Sequence, residues 1–222
     1  MELMHYYEVD SVFMLCYTQI KEMIVMKWYK FDIRLMSDED YEYWYSLMSD
    51  EKKQRVDAFR YKDDKKRTVA GEMLVRRVLS CMYLLPCEYF SFCTQENGKP
   101  CVRNFDKKFS ISHSGDYVVC AVDDEDIGID IEQIRPVNLG VCKKFFTDDE
   151  NLYVFGKKPD EQDFKGDATD DMNRRFFEVW TYKEACVKLK GSGIADIHSV
   201  FDYDRYTEMF DGYVVTIATV KN

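Results

Sequence analysis

The chain has 222 residues, 46% of them hydrophobic and 15% aromatic, and a formal net charge of −10. That length and apolar content suit one large or two small packed domains and exclude a disordered chain. The acidic balance argues against a nucleic-acid partner, and no apolar run reaches the ~18 residues of a spanning helix, so no membrane partner is expected.

Residues 1–25 read as an extension of uncertain role. The apolar run Val12 to Cys16 follows Glu2, Glu8 and Asp10 rather than basic residues, which disfavours a signal peptide. Lys27 to Leu35 alternates as a first strand. Ser37 and Ser49 each precede acidic residues and read as helix starts. Apolar residues at three- and four-residue steps predict a helix over Arg67–Tyr83, ended by Pro86. Phe90–Phe92 is a short strand, and Asn97-Gly98 signals a turn. Phe109–His113, Tyr117–Val122 and Ile127–Ile134 read as three strands of an antiparallel meander. The polar stretch 156–175 predicts a mobile loop, Phe176–Leu189 a helix, and Ser199–Tyr203 and Tyr213–Val220 closing strands. The order helix-then-strands recurs near residues 50–125 and 145–220.

The eight cysteines form no C-x-x-C pair, and the three histidines have no zinc spacing. Several sit in apolar runs, such as Cys120, and read as buried free thiols of a reducing, cytoplasmic setting rather than a disulfide framework.

The chemistry concentrates in few places. In the strand at Ile127, the three isoleucines point to one face and Gly128, Asp130 and Glu132 to the other. The two carboxylates lie roughly 7 Å apart at Cα and can meet on one ion, with Gly128 leaving room for a ligand. An ordinary half-exposed strand fits the pattern equally. On the later helix, Trp180, Glu184 and Lys188 share a face. Three hard-oxygen acids suit Mg²⁺, which often completes its shell from a phosphate. Between Glu51 and Arg77 stand ten Lys or Arg against five Asp or Glu. Such a basic island fits an anionic ligand, or a solvated helix face. Ser112 and His113 are adjacent on a strand and point to opposite faces, so they make a poor nucleophile–base pair. His113 reads better as a donor to an anion, or as a structural histidine.

Six segments in order carry a resemblance. They are Glu51-Lys52-Lys53-Gln54-Arg55, Lys66 to Glu72, Gly98-Lys99-Pro100, Phe109 to Ser114, Gly128-Ile129-Asp130-Ile131-Glu132, and Trp180 to Lys188. Together the chain resembles the 4′-phosphopantetheinyl transferases, in the longer pseudo-dimeric type that serves peptide and polyketide synthases. The resemblance implies an α+β fold (α/β in each half) of two similar halves, 26–126 and 127–222, with the active site in the cleft between them and residues 1–25 outside. It implies a monomer that moves the phosphopantetheine group of coenzyme A to a serine of an apo acyl or peptidyl carrier protein, releasing adenosine 3′,5′-bisphosphate. This is the reaction of a holo-[acyl-carrier-protein] synthase.

Position by position, the resemblance makes Asp130, Glu132 and Glu184 the Mg²⁺ ligands. Lys52 and Arg55 fall at contacts to the 3′-phosphate of coenzyme A. Arg67, Thr68, Lys99, Pro100, Ser112 and His113 fall at nucleotide-side contacts, and Lys188 lies near the diphosphate. Glu184, Lys188, Asp130 and His113 form the expected catalytic set, with Glu184 or a water it polarises as base. A noncatalytic module binding coenzyme A or a nucleotide is the alternative, although binding alone does not need three acids and Lys188. An unrelated Mg²⁺ phosphohydrolase is a third reading, weakened by the lack of a phosphate-cradling glycine loop.

Overall fold

The structure is a computed structural model that describes residues 28–95, 98–103 and 105–221. The extension 1–25 and the Asn97 turn residue lie outside the described residues. Strand β1 (Trp28–Asp32) leads through a 3-10 turn (Ile33–Leu35) into α1 (Asp38–Ser46), α2 (Asp50–Asp57) and the long α3 (Lys62–Tyr83). A small hairpin, β2 (Phe92–Thr94) and β3 (Pro100–Val102), precedes β4 (Lys108–Ser114) and β5 (Tyr117–Asp123). The second half holds β6 (Ile127–Gln133), α4 (Gly140–Phe145), α5 (Asp148–Phe155), the long α6 (Asp170–Lys190), β7 (Asp204–Phe210) and β8 (Tyr213–Thr219).

Both serine starts are real caps. Ser37 accepts from Asp40 N in a reciprocal capping box, and Ser49 accepts from Lys52 N, each satisfying an orphan first-turn donor. Helix α3 starts five residues earlier than its apolar spacing indicates. It ends at Leu84, which turns left-handed (φ 55°) before Pro86 is reached.

The expected meander is not formed. Strand β5 is the centre of a three-stranded antiparallel sheet ordered β1-β5-β4, whereas β6 pairs with β8 in a separate sheet ordered β6-β8-β7. The repeating unit is therefore strand, helix, hairpin: the first strand pairs with the last, and the long helix lies on the outer face. Helix α3 packs Leu74, Val75, Val78 and Leu79 on Phe109, Cys120 and Val122. Helix α6 covers the outer face of the second sheet, with Ala185, Cys186 and Leu189 on Ala218 and Phe177 and Val179 near Val214. The inner faces meet in a shared core of Trp28, Val119, Ala121, Ile127, Ile129, Ile131, Tyr213, Val215 and Ile217. The result is a helix–sheet–sheet–helix sandwich with the two halves fused across its middle.

Three further expectations change. The stretch 156–175 is not an open loop: Gly156 (φ 69°) ends α5, a 3-10 turn spans Asp163–Lys165, and α6 starts at Asp170 under a Thr169 cap. Its charges pair along the helix, Arg174 with Asp171 and Glu178, and Arg175 with Asp171. Residues 199–203 form no strand, because the Tyr182 hydroxyl engages the backbone of Phe201 and Tyr203 there. Cys93 and Cys101 face each other across the β2–β3 pair, Cα atoms 5.1 Å apart, and form a disulfide. Cys120, Cys142 and Cys186 are buried free thiols, as read from their apolar settings. Among the described residues no helix is long and apolar enough to cross a membrane.

Candidate active site

Strand β6 is the spine of the site. Its isoleucines fill the core between the sheets, and its alternate face is turned to α6. That face is covered over most of its length: Gly128 and Asp130 are buried, and only Glu132 is half-exposed. The expected ligand space beside Gly128 is filled by α6 itself. A Cβ on Gly128 would lie 1.8 Å from the Ala185 carbonyl oxygen, so glycine is there to let helix and strand touch. That close approach is what brings Glu184 and Lys188 to the acids of β6.

Lys188 Nζ donates to Asp130 Oδ1 at 2.7 Å and to Ser112 Oγ at 2.8 Å, and Ser112 Oγ donates to the same Asp130 oxygen at 2.7 Å. This triangle joins the halves, since Ser112 belongs to β4 and the other two to the second half. Asp130 Oδ2 is buried with no hydrogen-bond partner, a costly state for a carboxylate oxygen. Glu132 Oε2 accepts from Ser114 Oγ at 3.0 Å and Arg135 Nη1 at 3.1 Å. Glu184 is half-buried, and its carboxyl is pushed up to about 7 by burial and by the neighbouring Asp130, with Lys188 opposing and Glu132 adding to the rise. Its partner on the helix stripe, Trp180, serves the core instead, stacking on Phe176.

Glu184 and Lys188 line a cleft of about 330 Å³ with Gly98, Lys99, Pro100, Ser110 and Ile111 from the first half. A larger cleft of about 500 Å³ lies between α5, α6 and β7, lined by Asp149, Tyr153, Glu178 and Arg205, and contains none of the expected site residues. Of the expected acids only Glu184 lines the smaller cleft, together with Lys188 and Lys99, while Asp130 is buried behind it on Lys188. Lys99 Nζ reaches across the cleft to the Leu189 carbonyl at 3.2 Å.

The remaining expected residues sit on the first half. Arg67 Nη1 donates to the Gly115 carbonyl at 2.8 Å and pairs with Asp64, while the Thr68 hydroxyl turns back to the Asp64 carbonyl. His113 lies on the opposite face of β4 from Ser112, toward α3. Surrounding protein, Arg67 and Lys188 together lower its pKa, so at neutral pH it is a neutral hydrogen-bonding group. Lys52 and Arg55 of α2 do not line the cleft. Burial lowers the pKa of Lys52, and Glu72 of α3 partly offsets this.

Sequence reasoning missed the groups that brace the site. Ser110 and Ser114 flank Ser112 at two-residue steps, a spacing visible in the chain, and both reach β6. Arg76 uses its guanidinium five times, on Glu72 and on the carbonyls of Leu47, Cys87 and Phe90, tying the segment before α2 to α3. Lys183, fully buried, donates to both oxygens of Glu150 at 3.0 Å and ties α6 to the start of α5.

Two family models match this chain. One, described as 4′-phosphopantetheinyl transferase, N-terminal, covers residues 36–125, and the other, the 4′-phosphopantetheinyl transferase superfamily, covers residues 126–211. The chain is 40% identical over 163 residues to the 4′-phosphopantetheinyl transferase Sfp of Bacillus subtilis (strain 168), covering 73% of this chain and 68% of that protein. The chain belongs to the 4′-phosphopantetheinyl transferase family. It is also 41% identical to 4′-phosphopantetheinyl transferase psf-1 of Bacillus pumilus (67% of this chain, 60% of that one) and 33% identical to 4′-phosphopantetheinyl transferase gsp of Aneurinibacillus migulanus (73% and 65%). All three are named as transferases, and the comparisons give no support to a noncatalytic module.

Proposed function

We propose that this chain transfers the 4′-phosphopantetheine group of coenzyme A to a serine of an apo acyl or peptidyl carrier protein, acting as a holo-[acyl-carrier-protein] synthase and releasing adenosine 3′,5′-bisphosphate. The carrying observation is the convergence of Asp130, Glu132, Glu184 and Lys188 beside a cleft that both halves line. Among the described residues no group of three His, Cys, Asp or Glu is arranged as a metal site, because Asp130 and Glu132 turn oxygens to Lys188, Ser112, Ser114 and Arg135. The donor chemistry nevertheless fits Mg²⁺. The unpartnered Asp130 Oδ2 and the raised Glu184 mark a carboxylate cluster short of positive charge. Asp130, Glu132 and Glu184 would hold the ion, and bound Mg²⁺ would supply charge to the diphosphate of coenzyme A.

The protein's own groups carry the rest. Lys188, already fixed by Asp130 and Ser112, holds positive charge where the leaving phosphate gains negative charge. Lys99 and Pro100 wall the cleft; outside it, Arg67, Thr68, Ser112 and His113 would meet the nucleotide side of coenzyme A, and Lys52 and Arg55 of α2 its 3′-phosphate. Glu184, which lines the cleft beside Lys188, is placed to take the proton of the carrier serine hydroxyl, directly or through a water it polarises. Residues 26–126 and 127–222 are the two halves, a division supported by the repeated strand–helix–hairpin order. Since one chain supplies both walls, a monomer suffices.

The test is mass spectrometry of an apo carrier protein incubated with this protein, coenzyme A and Mg²⁺. A gain of one phosphopantetheine supports the reading, and coenzyme A binding without any gain refutes it. Glu184→Gln at full turnover under saturating Mg²⁺ would remove Glu184 as the base.

A further inference from the structure

The β2–β3 hairpin is a sheet of its own, and its turn reaches the smaller cleft. The base of the hairpin is anchored. Val102 is buried in the α3 core, and Phe92 packs on that core, edge-on to Phe109 and under the Arg76 guanidinium. The tip has less to hold it: Thr94, Gln95 and Gly98 are exposed, and Pro100 has no N–H to donate. Yet Gly98, Lys99 and Pro100 line the cleft, and Lys99 Nζ bonds the Leu189 carbonyl of the other half. Cys93 and Cys101 are the middle pair of the hairpin, between base and tip. A two-stranded hairpin alone is marginal in water. The cross-link closes a short ring around the tip, so fewer conformations compete with the one that walls the cleft. Both cysteines are half-buried, whereas Cys120, Cys142 and Cys186 are free thiols in the core. Disulfides within reach of solvent are the labile, regulatory kind.

We propose that the Cys93–Cys101 bridge is a redox switch on the cleft wall: the bridged hairpin holds Lys99 and Pro100 in place for coenzyme A, and the reduced hairpin releases them. This rests on coenzyme A as the ligand of the cleft. A dithiol reductant supplies two electrons and two protons. The S–S bond breaks, Cys93 and Cys101 become thiols, and the reductant leaves as its own disulfide. An oxidised dithiol reverses the exchange. In the reduced state only a fraction of the hairpins wall the cleft, and apparent affinity for coenzyme A falls by that fraction.

The test compares wild type as the bridged protein with wild type reduced by dithiothreitol, the state of the hairpin peptide being read by alkylation and mass spectrometry. Reduction is expected to raise KM for coenzyme A about 3- to 10-fold in the carrier-loading assay. It should change kcat less than about twofold, the pattern of lost ground-state binding, and reoxidation should restore KM. The Cys93→Ser, Cys101→Ser double variant should show the raised KM with and without dithiothreitol. The comparison within wild type needs no variant, so it decides if the double variant fails to fold. Equal KM in the two alkylation-verified states overturns the proposal, as does a double variant that still responds to dithiothreitol, or a pair of sulfurs that no oxidised dithiol can bridge. A protein that loads no carrier in either state refutes the transferase reading instead. The Kd for coenzyme A in the two states then decides the switch: a rise on reduction supports it, and an equal Kd or no binding in either state overturns it.

Discussion

Gly128→Ala isolates the contact that builds the site. The added Cβ would sit 1.8 Å from Ala185 O and 2.7 Å from Leu189 N, whereas ordinary contact begins at 3.4 Å. Both obstacles are backbone, so no rotamer change relieves them. Strand and helix must separate by about 1.6 Å along the closest line. Overpacking of this kind costs about 1–3 kcal/mol, and a backbone clash puts it at the upper end, about 3 kcal/mol. At ~2–4 °C per kcal/mol for a domain of this size, the melting temperature should fall by about 6–12 °C. The helix that moves carries Glu184 and Lys188. A displacement of about 1 Å at reacting groups is enough to lower turnover about 100-fold. Thermal melts and the carrier-loading assay read both effects. Ala185→Gly should not rescue the variant, because the clash is with the main chain of residue 185 and not its methyl. A melting temperature within 2 °C of wild type together with turnover within about threefold would refute the claim that α6 is seated on Gly128.

Lys183→Met should destabilise by about 3 kcal/mol in urea unfolding, since it leaves the Glu150 carboxylate without its buried ammonium; adding Glu150→Gln should recover part of that loss, and strict additivity would refute the pairing. His113 has a folded-state pKa below its ordinary 6.5, so on acidification the unfolded chain takes up the proton first and stability falls as pH drops below about 6.5. Relative to His113→Asn, wild type should therefore lose melting temperature below that pH and match it above pH 7; a constant difference across the range would contradict the lowering of its pKa by the surrounding protein, Arg67 and Lys188. Denatured, unreduced protein should alkylate at two fewer cysteines than reduced protein, and an equal count would refute the Cys93–Cys101 bridge.

What could be read from the chain was local. Serine followed by acids marks a helix cap wherever the fold places it, and Ser37 and Ser49 cap as expected. Alternation in β6 correctly split the isoleucines from the acids, because it depends only on the pleat. What failed depended on partners. Burial of both faces of β6 could not be seen, since the outer cover is a helix more than fifty residues away in sequence. Gly128 was read as room for a ligand, when it is room for that helix. The charged start of α6 resembled a loop because its apolar stripe begins only at Phe176, and its ion pairs close within the helix. Cys93 and Cys101 gave no signal until β2 and β3 set them opposite each other.

The repeated architecture also explains why a chain with two similar halves has one acid site. By strand order β6 corresponds to β1, each pairing with the last strand of its half, and β4 corresponds to β7. The face of β6 turned to its helix carries Gly128, Asp130 and Glu132. The corresponding face of β1 carries Tyr29 and Phe31, which pack against the α3 core. The hydroxyl comb is equally one-sided: β4 offers Ser110, Ser112 and Ser114 toward β6, whereas β1 meets Phe210 of β7, stacked on Trp28 and lying under Lys30 Nζ. Carboxylates and hydroxyls at one crossing make a polar, charged seam; aromatics at the other make a hydrophobic one. The hydrophobic crossing contributes area removed from water. It thereby offsets the cost of burying Asp130 and crowding it against Glu184 at the other crossing. Buried charge and structural stability are thus divided between two pseudo-equivalent seams, and the asymmetry is written in the alternate residues of β1 and β6.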